Sequence, residues 1–256
     1  MAALEIVLVP ALSDNYVYLL HDAGTGATAV VDPAEAEPVE AALAARGWTL
    51  TQIVNTHHHH DHIGGNEALK AKYGVPLVGP RSETARIPDM DQTVVDGDTV
   101  EVAGHKATVY ETPGHTTGHI AFHIPDSDAL FCGDTLFALG CGRMFEGTPT
   151  QFWKSLSTLR ALPPETRIYC GHEYTQSNAR FALSVDGDNA KLKARAAEID
   201  RKRAAGEPTV PSTLGDELDT NPFLRADDPA MAAAVGKVGA APTEVFAEIR
   251  RRKDTF

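Results

Sequence analysis

The stretch T-H-H-H-H-D-H-I-G-G (56–65) places five histidines and one aspartate within six positions. Imidazole and carboxylate side chains at that density are the donor set of a divalent cation site. Five imidazoles packed together without a cation would be costly to bury. The run T-Q-I-V-N-T (51–56) reads as a strand leading into the cluster. If the strand continues, His57 and His59 point one way and His58 and His60 the other, because side chains alternate along a strand. Asp61 and His62 are adjacent, cannot share a strand face, and belong where the strand gives way to the I-G-G loop. This reading yields two ligand pairs, His57 with His59 and Asp61 with His62, and leaves His58 and His60 as spacers. A helical pairing of His58 with His62 fits the β-rich lead-in and Gly64-Gly65 less well.

A catalytic site needs more ligands, and other strand ends supply them. T-P-G-H-T-T-G-H (112–119) offers His115, F-C-G-D-T (131–135) offers Asp134, and Y-C-G-H-E-Y (169–174) offers His172. Each follows a glycine, which lets backbone pass close to a metal. His57, His59 and His115 then form one set, Asp61, His62 and His172 a second, and the two oxygens of Asp134 can bridge them. His119 reads as support for a ligand or a turn, while His21, His105 and His123 read as ordinary surface or core residues. Cys132 and Cys170 each lie two residues before a better donor and read as small buried hydrophobes. Two divalent ions are expected, zinc first, with iron or manganese also compatible with this donor set. A metal-bridging hydroxide held by Asp134 and the two ions would be the nucleophile, since a divalent ion lowers the pKa of bound water to about 7. No G-x-S-x-G nucleophile elbow is present, and none is required.

The elements that must position these groups follow from the flanking pattern. Residues 27–33 read as a strand ending at Asp32-Pro33, 36–47 as an Ala-rich helix stopped by Gly47, and 66–74 as a helix capped by Asn66. Short strands recur at P-L-V-G, D-T-V-E-V-A, K-A-T-V-Y-E-T, H-I-A-F-H-I and A-L-F-C-G-D. A helix from about Pro149 to Leu162 precedes the strand T-R-I-Y-C-G-H. From Glu173 onward helices dominate, at 174–185, 188–205 and 243–254, around an irregular stretch at 207–218.

Composition limits the partners. A formal charge of −12 argues against nucleic acid and anionic membrane surfaces. No run of eighteen apolar residues exists. The opening M-A-A-L-E-I-V-L-V-P lacks a leader's basic stretch and cleavage site. Three cysteines cannot all pair with one another, which favours a reducing compartment. A cytoplasmic monomer is the expectation.

The H-x-H-x-D-H run, followed by histidine, aspartate and histidine at strand ends, resembles the metallo-β-lactamase fold superfamily. Within it, T-H-H-H-H-D-H, G-C-G-R (140–143), Y-C-G-H-E-Y-T, P-T-V-P-S-T-L, N-P-F-L-R and the terminal R-R-x-K-D are similar to the hydroxyacylglutathione hydrolase (glyoxalase II) family along the whole chain. The resemblance implies an α/β fold, a four-layer αβ/βα sandwich over residues 1–172, with a helical glutathione-binding domain over 173–256. It implies hydrolysis of S-(2-hydroxyacyl)glutathione thioesters, chiefly S-D-lactoylglutathione, to glutathione and D-lactate, the second step of methylglyoxal detoxification. Arg143, Tyr174, Arg250 and Lys253 would hold the glutathione moiety, the last two sharing a face of the final helix at i, i+3. That cationic set answers the problem an acidic chain faces in binding an acidic conjugate. Three positions depart from the family pattern: arginine for lysine at 143, phenylalanine for tyrosine at 145, and histidine for an aromatic at 60. Competing readings are another hydrolase on the same scaffold, a persulfide dioxygenase, or a metal-binding protein without turnover. The first two leave the terminal R-x-x-K face or part of the second ligand set unexplained, and storage would more simply use one contiguous tract.

Overall fold

The computed structural model describes residues 4–256; Met1–Ala3, the start of the segment without a leader's basic stretch, lie outside the described residues. The chain divides into two compact units, one comprising residues up to Glu111 with Gly118–Gly133, the other Thr112–Thr117 with Asp134–Phe256.

The first unit opens with β1 (Leu4–Ala11) and β2 (Asn15–Asp22), an antiparallel hairpin that the sequence reading had not placed. β3 (Thr28–Val31), α1 (Ala36–Arg46) and β4 (Gln52–Val54) form a β-α-β unit with β3 and β4 parallel. The short helix α2 (His60–Ile63) and α3 (Asn66–Tyr73) lead to β5 (Leu77–Pro80) and β6 (Gln92–Val94), both added in parallel. The six strands lie in chain order in one mixed sheet. Val9, Val17, Leu19, Val30 and Ile53 on its strands pack with Val39 and Leu43 of α1 and Leu69 of α3 in one buried cluster. A second, antiparallel set follows: β7 (Thr99–Val102), β8 (His105–Glu111), β9 (Ile120–Ile124) and β10 (Ala129–Gly133). β2, β9 and β10 are buried almost throughout. Strands covered on both faces read as continuous apolar runs, which H-I-A-F-H-I and A-L-F-C-G-D nearly are.

Two local readings are corrected here. The strand into the histidine cluster stops at Val54, and α2 begins at His60, so His57–His59 lie in an irregular connection and not on a pleat. Asn66 does not cap α3; its side chain donates 2.6 Å to Asn55 Oδ1, and Gly65 occupies the cap position.

The second unit holds β11 (Leu136–Phe137) paired with β12 (Gly140–Cys141), α4 (Pro149–Leu159), and β13 (Arg167–Cys170). Thr148 caps α4 with a full capping box, its hydroxyl on Gln151 N–H and the Gln151 side chain returning to Thr148 N–H. α5 (Thr175–Val185) and α6 (Ala190–Ala204) pack through Ala179, Ala182, Leu192, Ala196 and Ile199. The stretch read as irregular carries β14 (Ser212–Thr213), paired with β13, and the start of α7 (Leu214–Thr220), capped by Thr213. α8 (Pro229–Ala234), also unanticipated, precedes α9 (Pro242–Asp254). Phe152 of α4, Phe223 and Phe246 of α9 meet edge-to-face at 5.6 and 6.1 Å and anchor α9. Among the described residues no helix is long and apolar enough to cross a membrane.

Candidate metal centre

In the first unit the site grows from the carboxyl ends of the parallel strands β3 and β4, where open α/β sheets place ligands. The register Val31↔Val54 sets Asp32 beside the chain leaving β4. Asp32 sits in the left-handed region (φ 51°), which aspartate tolerates better than most side chains. Its Oδ1 accepts Thr56 N–H at 2.8 Å and its Oδ2 accepts the Thr56 hydroxyl at 2.6 Å. The same Oδ2 lies 3.1 Å from His62 Nδ1. Since a carboxylate only accepts, His62 carries its proton on Nδ1 and keeps the lone pair on Nε2. The Thr56 hydroxyl, its one proton given to Asp32, accepts from His57 Nδ1 at 3.0 Å, so His57 too keeps its lone pair on Nε2. Asp32, His57 and His62 are all buried and their donor atoms lie within 4.8 Å of one another. His57 Nε2 and His59 Nδ1 face each other at 3.1 Å.

Asp61 accepts from Asn15 Nδ2 at 3.0 Å, and its Oδ2 stands 3.6 Å from His62 Nε2. The His119 ring stacks on His57 with centroids 4.7 Å apart. Gly133 ends β10 in the left-handed region (φ 45°), and a Cβ there would lie 2.3 Å from Thr56 Oγ1 and 2.8 Å from His119 Nε2. Glycine is what lets β10 pass this close to the ligand supports.

The second unit gathers His115, Asp134 and His172. His115 Nδ1 donates 2.8 Å to the Arg143 carbonyl, again directing the Nε2 lone pair inward. Asp134 Oδ2 lies 3.3 Å from His115 Nε2 and 3.4 Å from His172 Nε2. These separations exceed ordinary N–H···O hydrogen bonds. They match the edge of a tetrahedron with arms near 2.1 Å, about 3.4 Å, the distance between neighbouring ligands of one zinc-like ion. One carboxylate oxygen stands at this spacing from two imidazoles. The donor set and spacing fit divalent metal.

All seven ligand candidates from the sequence therefore lie at these two clusters, His57, His59, Asp61 and His62 in the first unit and His115, Asp134 and His172 in the second. Asp32, Thr56 and Asn15 were missed as site residues. Asp32-Pro33 at the end of a strand in a β-α-β unit was the available signal for Asp32. His58, read as a spacer, places Nδ1 3.0 Å from Oε2 of buried Glu83. His60 opens α2 with an exposed side chain.

The glutathione candidates lie in the second unit. The Tyr174 ring stacks on His172 at 4.6 Å, nearly parallel at 2°. The exposed Phe145 ring meets the His115 ring at 5.3 Å, edge-on. Arg250 is buried and donates to the Cys141 carbonyl at 3.0 Å and to the Gly142 carbonyl at 3.4 Å, and pairs with Asp254 at 2.8 Å. Lys253 Nζ touches Ser177 at 3.2 Å and lies over the Phe181 and Phe256 rings. Burial first, then repulsion from Arg250, Arg143 and Arg180, pulls the Lys253 ammonium down to about 8. Arg143, Arg180, Arg250 and Lys253 thus act on one another on an otherwise acidic chain, with Asp254 paired to Arg250. Burial pushes the Cys170 thiol up to about 12 and the Cys141 thiol to about 11, so neither is a ready thiolate.

The metallo-beta-lactamase superfamily model matches residues 12–172, and the hydroxyacylglutathione hydrolase C-terminus model matches residues 173–256. A relative from Rhodospirillum rubrum named hydroxyacylglutathione hydrolase is 56% identical over 256 residues, covering 100% of both chains. The chain belongs to the hydroxyacylglutathione hydrolase family. A second relative of that name, from Ruegeria pomeroyi, is 57% identical over 253 residues and 99% of each chain. Among solved structures, ETHE1 from Myxococcus xanthus aligns with a TM-score of 0.69 at 26% identity, over 97% of this chain and 89% of that one. The BLEG-1 B3 metallo-beta-lactamase aligns with a TM-score of 0.66 at 22% identity, over 86% of this chain and 99% of that one, a likeness of fold. The α/β metallo-β-lactamase class expected from the sequence is the class of these neighbours.

Proposed function

We propose that this family member hydrolyses S-(2-hydroxyacyl)glutathione, chiefly S-D-lactoylglutathione, to glutathione and the 2-hydroxy acid. The observation that carries the chemistry is the single Asp134 oxygen set at ligand spacing from two imidazoles. In this reading His57, His59 and His115 would hold one divalent ion and Asp61, His62 and His172 the other, with Asp134 as a ligand available to both. Zinc suits this donor set, with iron or manganese as alternatives. Such ions polarise a carbonyl and make water nucleophilic near neutral pH.

The chain's own residues prepare that chemistry. Asp32, through Thr56 and directly, holds His57 and His62 in the tautomers that present Nε2, and the Arg143 carbonyl does the same for His115. Lys253 and Arg143 offer charge to the substrate's carboxylates, and Tyr174 offers a ring and hydroxyl beside His172. The buried Arg250 enters through the loop Cys141–Arg143, whose carbonyls it fixes, so we assign it the placing of Arg143. When the C–S bond breaks, the departing thiolate derives from a thiol of pKa near 8.5 and needs no strong acid.

The test is loss of thioester absorbance with S-D-lactoylglutathione, for the metal-replete wild type and Lys253→Ala. Turnover with a KM raised by the substitution supports both the reaction and the cationic grip. Absence of turnover in the wild type would return the question to the wider superfamily.

A further inference from the structure

His58 separates two of the proposed ligands, its ring edge-on to that of His59 at 4.8 Å and to that of His57 at 6.4 Å. Its ring has a neighbour at each nitrogen: Nδ1 lies 3.0 Å from Glu83 Oε2, and Nε2 lies 3.4 Å from Arg86 Nη1. Arg86 Nε reaches the same Glu83 oxygen at 2.7 Å, closing a triangle of three side chains. Glu83 ends the one-turn 3-10 helix Arg81–Glu83 that follows β5, and its side chain is 0% exposed. Its opposite edge lies on Gly118, where a Cβ would come within 2.6 Å of Glu83 Oε1 and 2.7 Å of its Cδ. Gly118 precedes His119, the ring stacked on His57.

A carboxylate in that position touches both segments that present and back the first ligand pair. Stability alone does not ask for it, since a buried ion pair often contributes no more than an apolar packing of equal volume. What the triangle adds is direction. With one residue between His57 and His59, the convergence of their nitrogens depends on the backbone at His58. The side chain of His58 is set between the His59 ring and the Glu83–Arg86 pair. We propose that Glu83 is a positioning residue for the metal site, acting through His58 to hold His57 and His59 convergent. The inference rests on the proposed metal role of those two histidines, not on the identity of the thioester.

Glu83→Gln keeps the volume and removes the paired charge, and His58→Gln removes the ring. Zinc affinity is measured by competition with a chromophoric chelator, and the melting temperature is taken on metal-free protein. The expected result is a roughly 10- to 100-fold weaker affinity for one of the two ions in each single variant. The double variant should lose no more than the weaker single variant, because both changes cut one connection. Cobalt-substituted Glu83→Gln should show an altered visible spectrum. Wild-type affinity in Glu83→Gln overturns the proposal, whether or not its metal-free form melts lower. Losses that add in the double variant also overturn it, because Glu83 would then act independently of His58. Failure of the thioester reading appears separately, as wild type that binds metal normally but turns nothing over.

Discussion

Replacing Asp32 with asparagine leaves the side-chain volume unchanged and exchanges one oxygen for an NH2 group. The consequence follows from three donors that converge on that carboxylate: Thr56 N–H, the Thr56 hydroxyl and His62 Nδ1–H. If the amide nitrogen takes the Oδ1 place it meets Thr56 N–H, donor against donor. If it takes the Oδ2 place it meets His62 Nδ1, which must then give up its proton to Nε2 and lose the inward lone pair. In the same orientation the Thr56 hydroxyl is driven to donate elsewhere, and His57 Nδ1 at 3.0 Å is the acceptor at hand. His57 then protonates Nε2 as well. The first orientation leaves a buried donor unpaired, at about 1–3 kcal/mol. That lowers the melting temperature of the metal-free chain by roughly 2–12 °C, at about 2–4 °C per kcal/mol for a chain of this size. The second orientation spares much of that loss but gives up two ligands. Disturbing the support of one ligand weakens metal binding by about 10–100-fold, so two altered imidazoles make roughly a hundredfold the minimum expected. Competition with a chelator measures the affinity, and ¹⁵N shifts of labelled histidine report the tautomers directly. Zinc affinity within about threefold of wild type, with melting unchanged, would refute the tautomer argument.

The cationic cluster gives a pH prediction of definite sign. With Lys253 held near 8 in place of 10.5, its charge is lost as pH rises through about 8. KM for an anionic thioester should climb above that pH, and Lys253→Ala should remove the climb and raise KM throughout, read from initial rates across pH 6–10. Linkage gives the folding counterpart, because the unfolded chain binds more protons than the folded one between about 8 and 10.5. This group's contribution to stability should therefore rise with pH in that window, visible as a difference between wild type and Lys253→Ala in urea titrations. Gly133→Ala forces a Cβ to 2.3 Å from Thr56 Oγ1 in a left-handed conformation. It should lower both the melting temperature and the metal content, whereas wild-type values for both would show that β10 can shift at no cost. Adding zinc at a hundred times its dissociation constant should stabilise the chain by about 2.7 kcal/mol for each ion bound. A thermal scan checks this, and an unmoved transition would place the metal on the unfolded chain as much as the folded one.

The histidine cluster announced its chemistry because the donors are contiguous, yet the geometry that uses them was written elsewhere in the chain. Strand alternation assigned His57 and His59 to one side correctly but for the wrong reason. β4 stops at Val54 because the next polar groups are claimed from a distance. Asn55 is taken by the His62 carbonyl and Asn66, and Thr56 by Asp32, 24 residues upstream. The same blindness to distance made His58 look idle, since its partner Glu83 lies in another turn after another strand. Arg250 shows the converse, a placement that local sequence did contain. In V-F-A-E-I-R-R-R-K the buried positions are Val245, Phe246, Ile249 and Arg250, the i, i+1, i+4, i+5 stripe of a helix packed on one side. A cation on that stripe has to point inward, where it finds the Cys141 and Gly142 carbonyls. Lys253, four residues beyond Ile249, stands at the stripe's margin, half in and half out. The i, i+3 pairing read from the two cations alone made them equivalent, and the apolar stripe separates them. One cation holds the loop, and the other is the one the proposed function gives to the substrate.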